Sequence, residues 1–387
     1  MKEADFTADR TGRLVEIPEG PKGVKAFIPH PLPPKGLLPT WELSRLNSEA
    51  DRALSELSGL ARILPNAHLL SGSFSRREAV LSSKIEGTVT TMNELFLFEA
   101  GGATDGTDTD VREVQNYVYA LNHGLDRLEK LPVCNRLIKD IHRILMSGVR
   151  GGDKTPGEFR KVQNHIGPRK TTPIQDATYV PPPATEMLLC MNQLEEFING
   201  RVEVPPLIRE ALIHYQFEAI HPFVDGNGRV GRLLLTLDLC SQKIIDHPLL
   251  YLSEYIEKRK DEYYSLMFDV SASGAWQPWI EFFLGAVTEQ ARDAQERAKA
   301  LHDLMQRLKD RLHGINAPSY TLRVVEELFF IPVINSKRVT QLVGGQVKTG
   351  QRALEKLQSV GILRELDTGR QRNKLYASDE IHKLVTS

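Results

Sequence analysis

The sequence has little of what marks secreted, membrane-spanning or strongly charged proteins. Its three cysteines, Cys134, Cys190 and Cys240, are odd in number and far apart in 387 residues, which excludes a disulfide framework or a cysteine-rich zinc site of local spacing. No apolar run approaches the roughly 20 residues of a membrane helix, and the charged N-terminal stretch has no signal-peptide core. A formal net charge of -1 gives no general attraction to nucleic acid or membranes. We therefore expect a cytoplasmic protein without membrane association.

What is present is ordinary globular composition, with 41% hydrophobic and 26% charged residues, in a chain long enough for two or three domains. Apolar residues recur mostly at helical spacing, so we predict a mainly α fold. The predicted units are an N-terminal helical region over 1–110, a catalytic core over 111–285, a connecting helix over 286–317 and a C-terminal domain over 318–387.

Helical periodicity predicts individual helices within these units. They cover 43–64, 74–86, 111–128, 135–146, 207–220, 229–237, 248–255, 263–283 and 287–312. Residues 1–40, rich in proline, glycine and lysine, are predicted to be an extended arm. The apolar seam of the helix over 287–312 suits either a connector or a dimer surface, and we favour the connector.

Residues 221–232, HPFVDGNGRVGR, contain the densest group of chemically active side chains. His221 ends one helix because Pro222 prevents its continuation, and Gly226 and Gly228 then make a tight turn before the next helix. A loop that opens onto a helix N-terminus offers free backbone N–H groups and the positive end of the helix dipole. The stretch is therefore predicted to bind an anion.

Two arginines in the first turn of that second helix strengthen the prediction. Arg229 and Arg232 are three residues apart and share a face, yet a cation at a helix N-terminus is disfavoured by about 0.3–1 kcal/mol. A polyphosphate would offset this cost, because guanidinium groups pair with phosphate oxygens in bidentate fashion. Asp225 would hold Mg²⁺, and His221 would act as the base. His214, on the same face of the preceding helix, is predicted to pack in the core.

The glycines of this stretch also fit the dinucleotide-binding pattern G-x-G-x-x-G. That pattern requires a preceding strand within a βαβ unit, whereas here a helix precedes it. We therefore discount a dinucleotide fold.

A second stretch, SSKIEG at residues 82–87, places an acid where its own helix disfavours it. Ser82 and Glu86 are four residues apart on one face, and Gly87 is a natural residue after a helix end. Glu86 thus lies at the negative end of a helix dipole and needs a cation. The simplest pairing joins Glu86 to Arg232.

The string HPFxxGNGRxxR resembles the signature of Fic-domain AMP transferases at every fixed position. The resemblance implies a helical bundle with a small β-hairpin flap, and transfer of AMP from ATP to a Ser, Thr or Tyr hydroxyl of a target protein. It makes His221 the base that deprotonates the hydroxyl, and Asp225 the ligand of Mg²⁺. The residues that it assigns to ATP are Gly226, Asn227, Gly228, Arg229 and Arg232. This chain itself is a further candidate target, and a homodimer is a further candidate assembly.

Two other features follow from the same resemblance. Ser82 and Glu86 match the inhibitory motif Ser/Thr-x-x-x-Glu-Gly/Asn, whose glutamate blocks productive placement of the ATP γ-phosphate. In bifunctional members this carboxylate also orients a water that removes AMP, and the sequence leaves that role open. Relatives that transfer phosphate carry lysine where this chain has Gly228, which weighs against the alternative of a phosphotransferase.

The segment before three consecutive prolines at 181–183 resembles the flap that aligns the target over the catalytic histidine. Tyr179 and Val180 are the residues expected to dock the target, because an extended backbone offers main-chain groups to an incoming strand. A rigid turn is the alternative interpretation.

Residues 318–387 resemble a winged-helix domain, with helices over 322–329, 336–343 and 349–359 and a two-stranded wing over 362–366 and 373–376 around Gly369. Basic side chains lie along the third helix and in the wing: Lys348, Arg352, Lys356, Arg370, Arg372 and Lys374. Acidic Glu355, Glu365 and Asp367 are interleaved with them. The domain therefore suits a protein partner or DNA, and a DNA-binding regulator with an ATP-sensing Fic domain is the alternative function.

Overall fold

The computed structural model describes residues 3–6, 11–18, 20–63, 67–102, 108–169, 171–367 and 372–386. Over these ranges the chain is mainly helical with two small antiparallel sheets, which confirms the predicted fold class. Within these ranges, none of the helices combines the length and the apolar character needed to cross a membrane.

The N-terminal segment forms a hairpin in which β1 (Gly12–Glu16) pairs with β2 (Lys25–Pro29). The expectation of an extended arm over 1–40 is wrong here, because the three central residues of β2 are buried. The Phe27 N–H donates to the Val180 carbonyl at 2.8 Å. The hairpin therefore lies alongside the segment predicted as the flap and is hydrogen-bonded to it. The sequence signal for β2 was its short apolar run, which is bounded by residues typical of turns.

Eleven described helices build the bundle that follows. They are α1 (Trp41–Ile63), α2 (Ala67–Ile85), α3 (Met92–Glu99), α4 (Asp108–Leu128), α5 (Asn135–Leu145), α6 (Ala184–Asn199), α7 (Pro206–Ile220), α8 (Asn227–Ser241), α9 (Ser253–Lys258), α10 (Lys260–Ser273) and α11 (Trp276–Gly314). Almost every residue of α7 and α8 is buried, as expected for helices surrounded on all sides. The loop between these two central helices carries the 221–232 stretch.

Several predicted boundaries differ from the structure. Helix α2 begins at Ala67 instead of residue 74, α8 begins at Asn227 instead of 229, and the helix expected over 248–255 begins at Ser253. Helices α3 and α6 were not predicted. For α3 a signal existed: Thr91 and Glu94 form a reciprocal capping box at its start.

The predicted helix break between 283 and 287 is absent, because α11 is one continuous helix from Trp276 to Gly314. The domain boundary at 285/286 stays a prediction. Its predicted seam is covered by the chain itself, with Ala294, Ala298 and Leu301 buried. The Gln295 amide donates to the Ala53 carbonyl of α1 at 2.8 Å. The seam is therefore buried within the chain itself, and the connecting role of this helix stays a prediction.

The C-terminal region contains the three predicted helices and a larger sheet than expected. Its elements are α12 (Tyr320–Phe330), β3 (Val333–Asn335), α13 (Ser336–Leu342), α14 (Val347–Ser359), β4 (Arg364–Glu365), β5 (Leu375–Ala377) and α15 (Asp379–Thr386). The strands pair antiparallel in the order β3-β5-β4, so the sheet has three strands instead of two. Gly369 and Arg370 lie outside the described residues, and the assignment as a winged helix stays a prediction.

Candidate active site

His221 occupies an unusual backbone position immediately after α7. Its φ of 49° and ψ of 60° are left-handed, a conformation uncommon for a residue other than glycine. Its N–H donates to the Phe217 carbonyl at 3.0 Å. Its own carbonyl accepts from Arg160 Nε at 2.9 Å and from Asn164 Nδ2 at 3.3 Å. Hydrogen bonds on both sides therefore hold the histidine in this conformation.

The imidazole of His221 is held in one tautomer. Its Nδ1 lies 3.3 Å from the Glu218 carbonyl oxygen, which only accepts hydrogen bonds, so Nδ1 carries the proton and Nε2 keeps a lone pair. Burial, with a contribution from the Arg160 charge, lowers the pKa of His221 to about 4. The ring is therefore neutral near pH 7 and able to accept a proton at Nε2.

Arg160 is a site residue that the sequence analysis did not single out. Its guanidinium donates to the carbonyls of His221, of Val162 at 3.2 Å, of Pro182 at 2.5 Å and of Ile220 at 3.4 Å. Burial lowers the pKa of Arg160 to about 10. These bonds tie the proline run at 181–183 to the histidine loop. No local pattern marks such a residue, because its partners lie on distant loops.

The Asn227 side chain shapes the loop that leads into α8. Its Oδ1 accepts from the Phe223 N–H at 2.8 Å, and its Nδ2 donates to the Phe223 carbonyl at 2.9 Å. The residue is 2% exposed. The side chain therefore braces the turn before α8, and its role toward ATP stays a prediction. The N–H groups of the first turn of α8, which have no intrahelical partner, are further donors for an anion.

His142 supports the same loop from α5 and was also missed. Its ring stacks on Phe223 with centroids 3.7 Å apart. Its Nδ1 accepts from the Gly157 N–H at 2.8 Å, so Nε2 carries the proton and donates to the Asp225 carbonyl at 3.0 Å. Burial lowers the pKa of His142 to about 4, which keeps this ring neutral.

Asp225 presents a carboxylate at the rim of the loop. Its Oδ1 accepts from the Gly226 N–H at 2.7 Å and lies 3.8 Å from Arg229 Nη2, and its side chain is 32% exposed. A Cβ added at Gly151 would lie 3.0 Å from Asp225 Oδ2, so the glycine leaves space beside this oxygen. Among the described residues no group of three or more acidic, His or Cys side chains forms a metal cage. One carboxylate supplemented by phosphates and water is the usual arrangement for Mg²⁺, and Asp225 fits it.

Arg229 is held by a carboxylate of α4. Its Nη1 lies 3.3 Å from Glu113 Oε2, and its Nη2 lies 3.5 Å from Met146 Sδ. Glu113 also accepts from the Thr88 hydroxyl at 2.7 Å. Glu113, another residue that the sequence analysis missed, therefore links this arginine to the segment that follows Gly87.

Arg232 pairs with Glu86, which confirms the predicted contact. Its Nη2 donates to Glu86 Oε1 at 2.7 Å and to the Ser82 carbonyl at 3.0 Å, and its Nε donates to the Ser82 hydroxyl at 2.8 Å. Burial disfavours the charged Glu86, yet the Arg232 guanidinium holds the pKa of this carboxyl below its usual range. Burial likewise opposes the charge of Arg232, and the Glu86 carboxylate outweighs it and raises the pKa of the guanidinium. Both groups are ionised.

Gly228 lies directly under this ion pair. A Cβ at this position would collide with Glu86 Oε1 and lie 3.0 Å from Arg232 Nη1. Glycine is therefore the residue that lets Glu86 approach the first turn of α8.

The two residues expected to dock a target are enclosed in this structure. Tyr179 and Ile166 exchange backbone hydrogen bonds, which reduces the predicted hairpin to a single bridge. The Tyr179 hydroxyl donates to the Ala219 carbonyl at 3.0 Å, and the Val180 carbonyl accepts from Phe27. Both side chains are buried. The structure thus leaves neither residue as an open strand edge.

His214 belongs to the core, as predicted. It is 1% exposed, and its Nε2 lies 2.7 Å from the Tyr263 hydroxyl. It takes no part in the loop.

Known proteins resemble the chain over the part that carries this site. Residues 44–126 match the Fic/DOC family N-terminal profile, and residues 132–239 match the Fic/DOC family profile. The first match contains Ser82 and Glu86, and the second contains the whole 221–232 stretch.

Among curated proteins, the chain is 28% identical over 214 residues to "Protein adenylyltransferase Fic" of Drosophila grimshawi, covering 54% of this chain and 40% of that protein. It is 27% identical over 255 residues to the protein of that name in Drosophila melanogaster, covering 63% and 48%. The chain therefore spans less than half the length of these relatives.

A Fic family protein from Desulfovibrio desulfuricans G20 shares its fold, with a TM-score of 0.56 and 21% identity over 88% of this chain and 97% of that one. The chain thus contains Fic/DOC family regions over residues 44–126 and 132–239.

Proposed function

We propose that this protein transfers AMP from ATP to a Ser, Thr or Tyr hydroxyl of a target protein. The observation that carries the proposal is a neutral His221, with Nε2 free to accept a proton, next to a helix N-terminus and two buried arginines. The curated relatives named as protein adenylyltransferases support the same reaction. The units 1–110, 111–285, 286–317 and 318–387, and a cytoplasmic location, form part of the proposal.

The chemical step is an in-line substitution at the α-phosphorus of ATP. The target hydroxyl oxygen forms a bond to this phosphorus, the bond to the oxygen that bridges to the β-phosphate breaks, and pyrophosphate leaves. The hydroxyl proton moves to His221 Nε2. A base with a pKa of about 4 is weak, so it accepts the proton as bond formation acidifies the hydroxyl. The arginines and the N–H groups of α8 stabilise negative charge on the phosphates.

Mg²⁺ is the metal that this site fits, and Asp225 would hold it. When bound, the ion supplies positive charge against the phosphate oxygens. The contribution of the surrounding residues is to orient the Asp225 carboxylate. The Gly226 N–H fixes Oδ1, and the His142 ring fixes the Asp225 main chain.

We further propose that Glu86 restrains the reaction. The guanidinium of Arg232 is the group expected to bind the outer phosphates, and Glu86 already occupies it at 2.7 Å. A phosphate and a carboxylate cannot share the same donor without strong repulsion. ATP therefore binds productively only when Glu86 moves away.

For target docking, the strand edge next to Ile166 is the better candidate. The segment of Tyr179 and Val180 is hydrogen-bonded to Ile166 on one side and to Phe27 on the other, so both of its edges already have backbone partners. The segment around Ile166 is at the edge, and an incoming chain would add there. Asn164 connects this segment directly to the His221 carbonyl.

The reaction is tested by incubating the protein and a cell lysate with Mg²⁺ and ATP labelled at either the α- or the γ-phosphate. Label on protein from α-labelled ATP only, lost in His221→Ala, is the expected result. Label from γ-labelled ATP only would show a phosphotransferase instead. Gly228 weighs against that outcome, because phosphate-transferring relatives carry lysine at this position.

A DNA-binding regulator is the second candidate, and one observation favours it. Lys348 and Arg352 are exposed on the same face of α14. However, Lys374, immediately before β5, is paired with Glu365 at 2.7 Å, which reduces the charge available to phosphates. This candidate predicts salt-dependent binding to duplex DNA that is lost in an Arg352→Ala, Lys356→Ala double variant.

A further inference from the structure

Helix α2 contacts the C-terminal region at one end and the active site at the other. Near its start, Gly72 faces the ring of Phe330, the last residue of α12. A Cβ added at Gly72 would lie 2.8 Å from three carbons of that ring, closer than side chains pack. The glycine therefore lets Phe330 seat directly on the α2 backbone.

Arg76 encloses the same ring one turn later. Its guanidinium lies 5.3 Å from the Phe330 ring centroid and donates to the Gly72 carbonyl at 2.8 Å. It also pairs with Glu99 of α3 at 2.7 Å, with both side chains under 10% exposed. Phe330 thus lies in a notch formed by Gly72 and Arg76 of α2. The positive charge of Arg76 is neutralised by Glu99 of α3.

Helix α3 is bound to the C-terminal region as well. The Asn335 side chain donates to the Ala100 carbonyl at 2.9 Å, and the rings of Phe96 and His382 meet edge to face at 6.0 Å. The C-terminal region therefore contacts both α2 and the helix that follows the inhibitory segment.

From Gly72 to Glu86 the chain runs fourteen residues, about 20 Å along a helix that rises 1.5 Å per residue. Packed helices move as rigid bodies and do not deform smoothly, so a shift at the notch is transmitted to the far end. We propose that the seating of Phe330 on Gly72 holds Glu86 against Arg232, and that displacing α12 from α2 releases the arginine. This inference rests on the proposed function, in which Glu86 is the restraint.

The test is Gly72→Ala, with Gly59→Ala as its matched control. Both glycines lie inside helices, so both substitutions favour the helix similarly. A Cβ at Gly59 meets nothing within 4 Å, whereas a Cβ at Gly72 displaces Phe330. The coupling predicts at least a threefold rise in transfer of α-labelled AMP for Gly72→Ala, none for Gly59→Ala, and no further rise when Gly72→Ala is added to Glu86→Gly. Phe330→Ala, which empties the notch without adding volume, should act in the same direction.

Hydrogen exchange of the amides at 82–86 provides a second measurement that does not depend on activity. The expected result is faster exchange in Gly72→Ala and Phe330→Ala than in wild type and Gly59→Ala. Unchanged exchange and unchanged transfer, in a preparation where Glu86→Gly is active, would overturn the coupling alone. Loss of transfer in Glu86→Gly would refute the proposed function, and the exchange data would still decide whether α12 controls the end of α2.

Discussion

Arg232, whose side chain is buried, and Glu86, whose side chain is 32% exposed, form an ion pair of 2.7 Å, and Ser82 accepts two further hydrogen bonds from the same guanidinium. Nε and Nη2 of the cation that would bind the outer phosphates of ATP are thus already occupied by the chain itself. Arg229 is held in the same manner by Glu113. The site is therefore assembled in advance, with protein carboxylates in the place of substrate charge.

The first prediction concerns ATP affinity. Glu86→Gln keeps the side-chain length but removes the charge, so Arg232 becomes available to phosphate. A hydrogen bond between charged groups contributes about 1.5–3 kcal/mol, so we expect roughly ten- to a hundredfold tighter binding of a non-hydrolysable ATP analogue. Calorimetry measures this, with the exposed Glu56→Gln as control. Equal affinity in all three proteins would contradict competition between Glu86 and phosphate.

The second prediction concerns pH. Because burial and Arg160 lower the pKa of His221 to about 4, the neutral base persists below the ordinary histidine value and is lost only as the pH falls toward 4. In the Glu86→Gly variant, kcat/KM should stay level from about pH 8 to 5 and fall below that. Removing Glu86 does not raise this midpoint, because the Glu86 charge itself raises the pKa of His221. An acid limb centred near 6.5 would show that His221 is not shifted as the geometry requires.

The third prediction concerns Arg160. Arg160→Lys keeps the charge, but a single ammonium cannot reach all four carbonyls that the planar guanidinium serves. We expect a loss of about 2–4 kcal/mol in the free energy of unfolding, together with a lower kcat, because the His221 backbone is no longer held. Urea denaturation measures the first effect, with the exposed Arg136→Lys as control. If both lysine variants were equally stable, Arg160 would not be the residue that joins these loops.

The fourth prediction concerns the metal. Chelation of Mg²⁺ should abolish transfer, and Asp225→Asn should raise the Mg²⁺ concentration for half-maximal transfer at least tenfold, since an amide is a much poorer ligand of hard cations. Asp153→Asn, in the exposed turn nearby, is the control. A Mg²⁺ dependence unchanged in Asp225→Asn would assign the metal to other ligands.

The sequence could predict those contacts of the site whose side-chain charges are unfavourable for the dipole of their own helix. Glu86 at a helix C-terminus and Arg232 at a helix N-terminus each had the wrong sign for their own helix, and the structure joins them. Helical periodicity likewise placed α7 and α8, because both are long and apolar.

Other residues left no such local signal. Arg160 contacts carbonyls about 20 and 60 positions away, and its burial depends on loops whose path the sequence does not specify. The contacts of the Asn227 side chain with the Phe223 backbone could not be predicted either, because they depend on the path of the loop between the two residues. The N-terminal hairpin was missed because its buried strand is short and covered by a distant segment at Val180.

Comparison of wild type with Glu86→Gly tests the central claim most directly. Both proteins are incubated with α-labelled ATP, Mg²⁺ and a lysate, and the initial rate of label transfer to protein is measured, with the Glu86→Gly, His221→Ala double variant as the blank. The account predicts a rate at least tenfold higher in Glu86→Gly than in wild type and no label in the double variant. Equal rates in wild type and Glu86→Gly, or label that persists without His221, would contradict it.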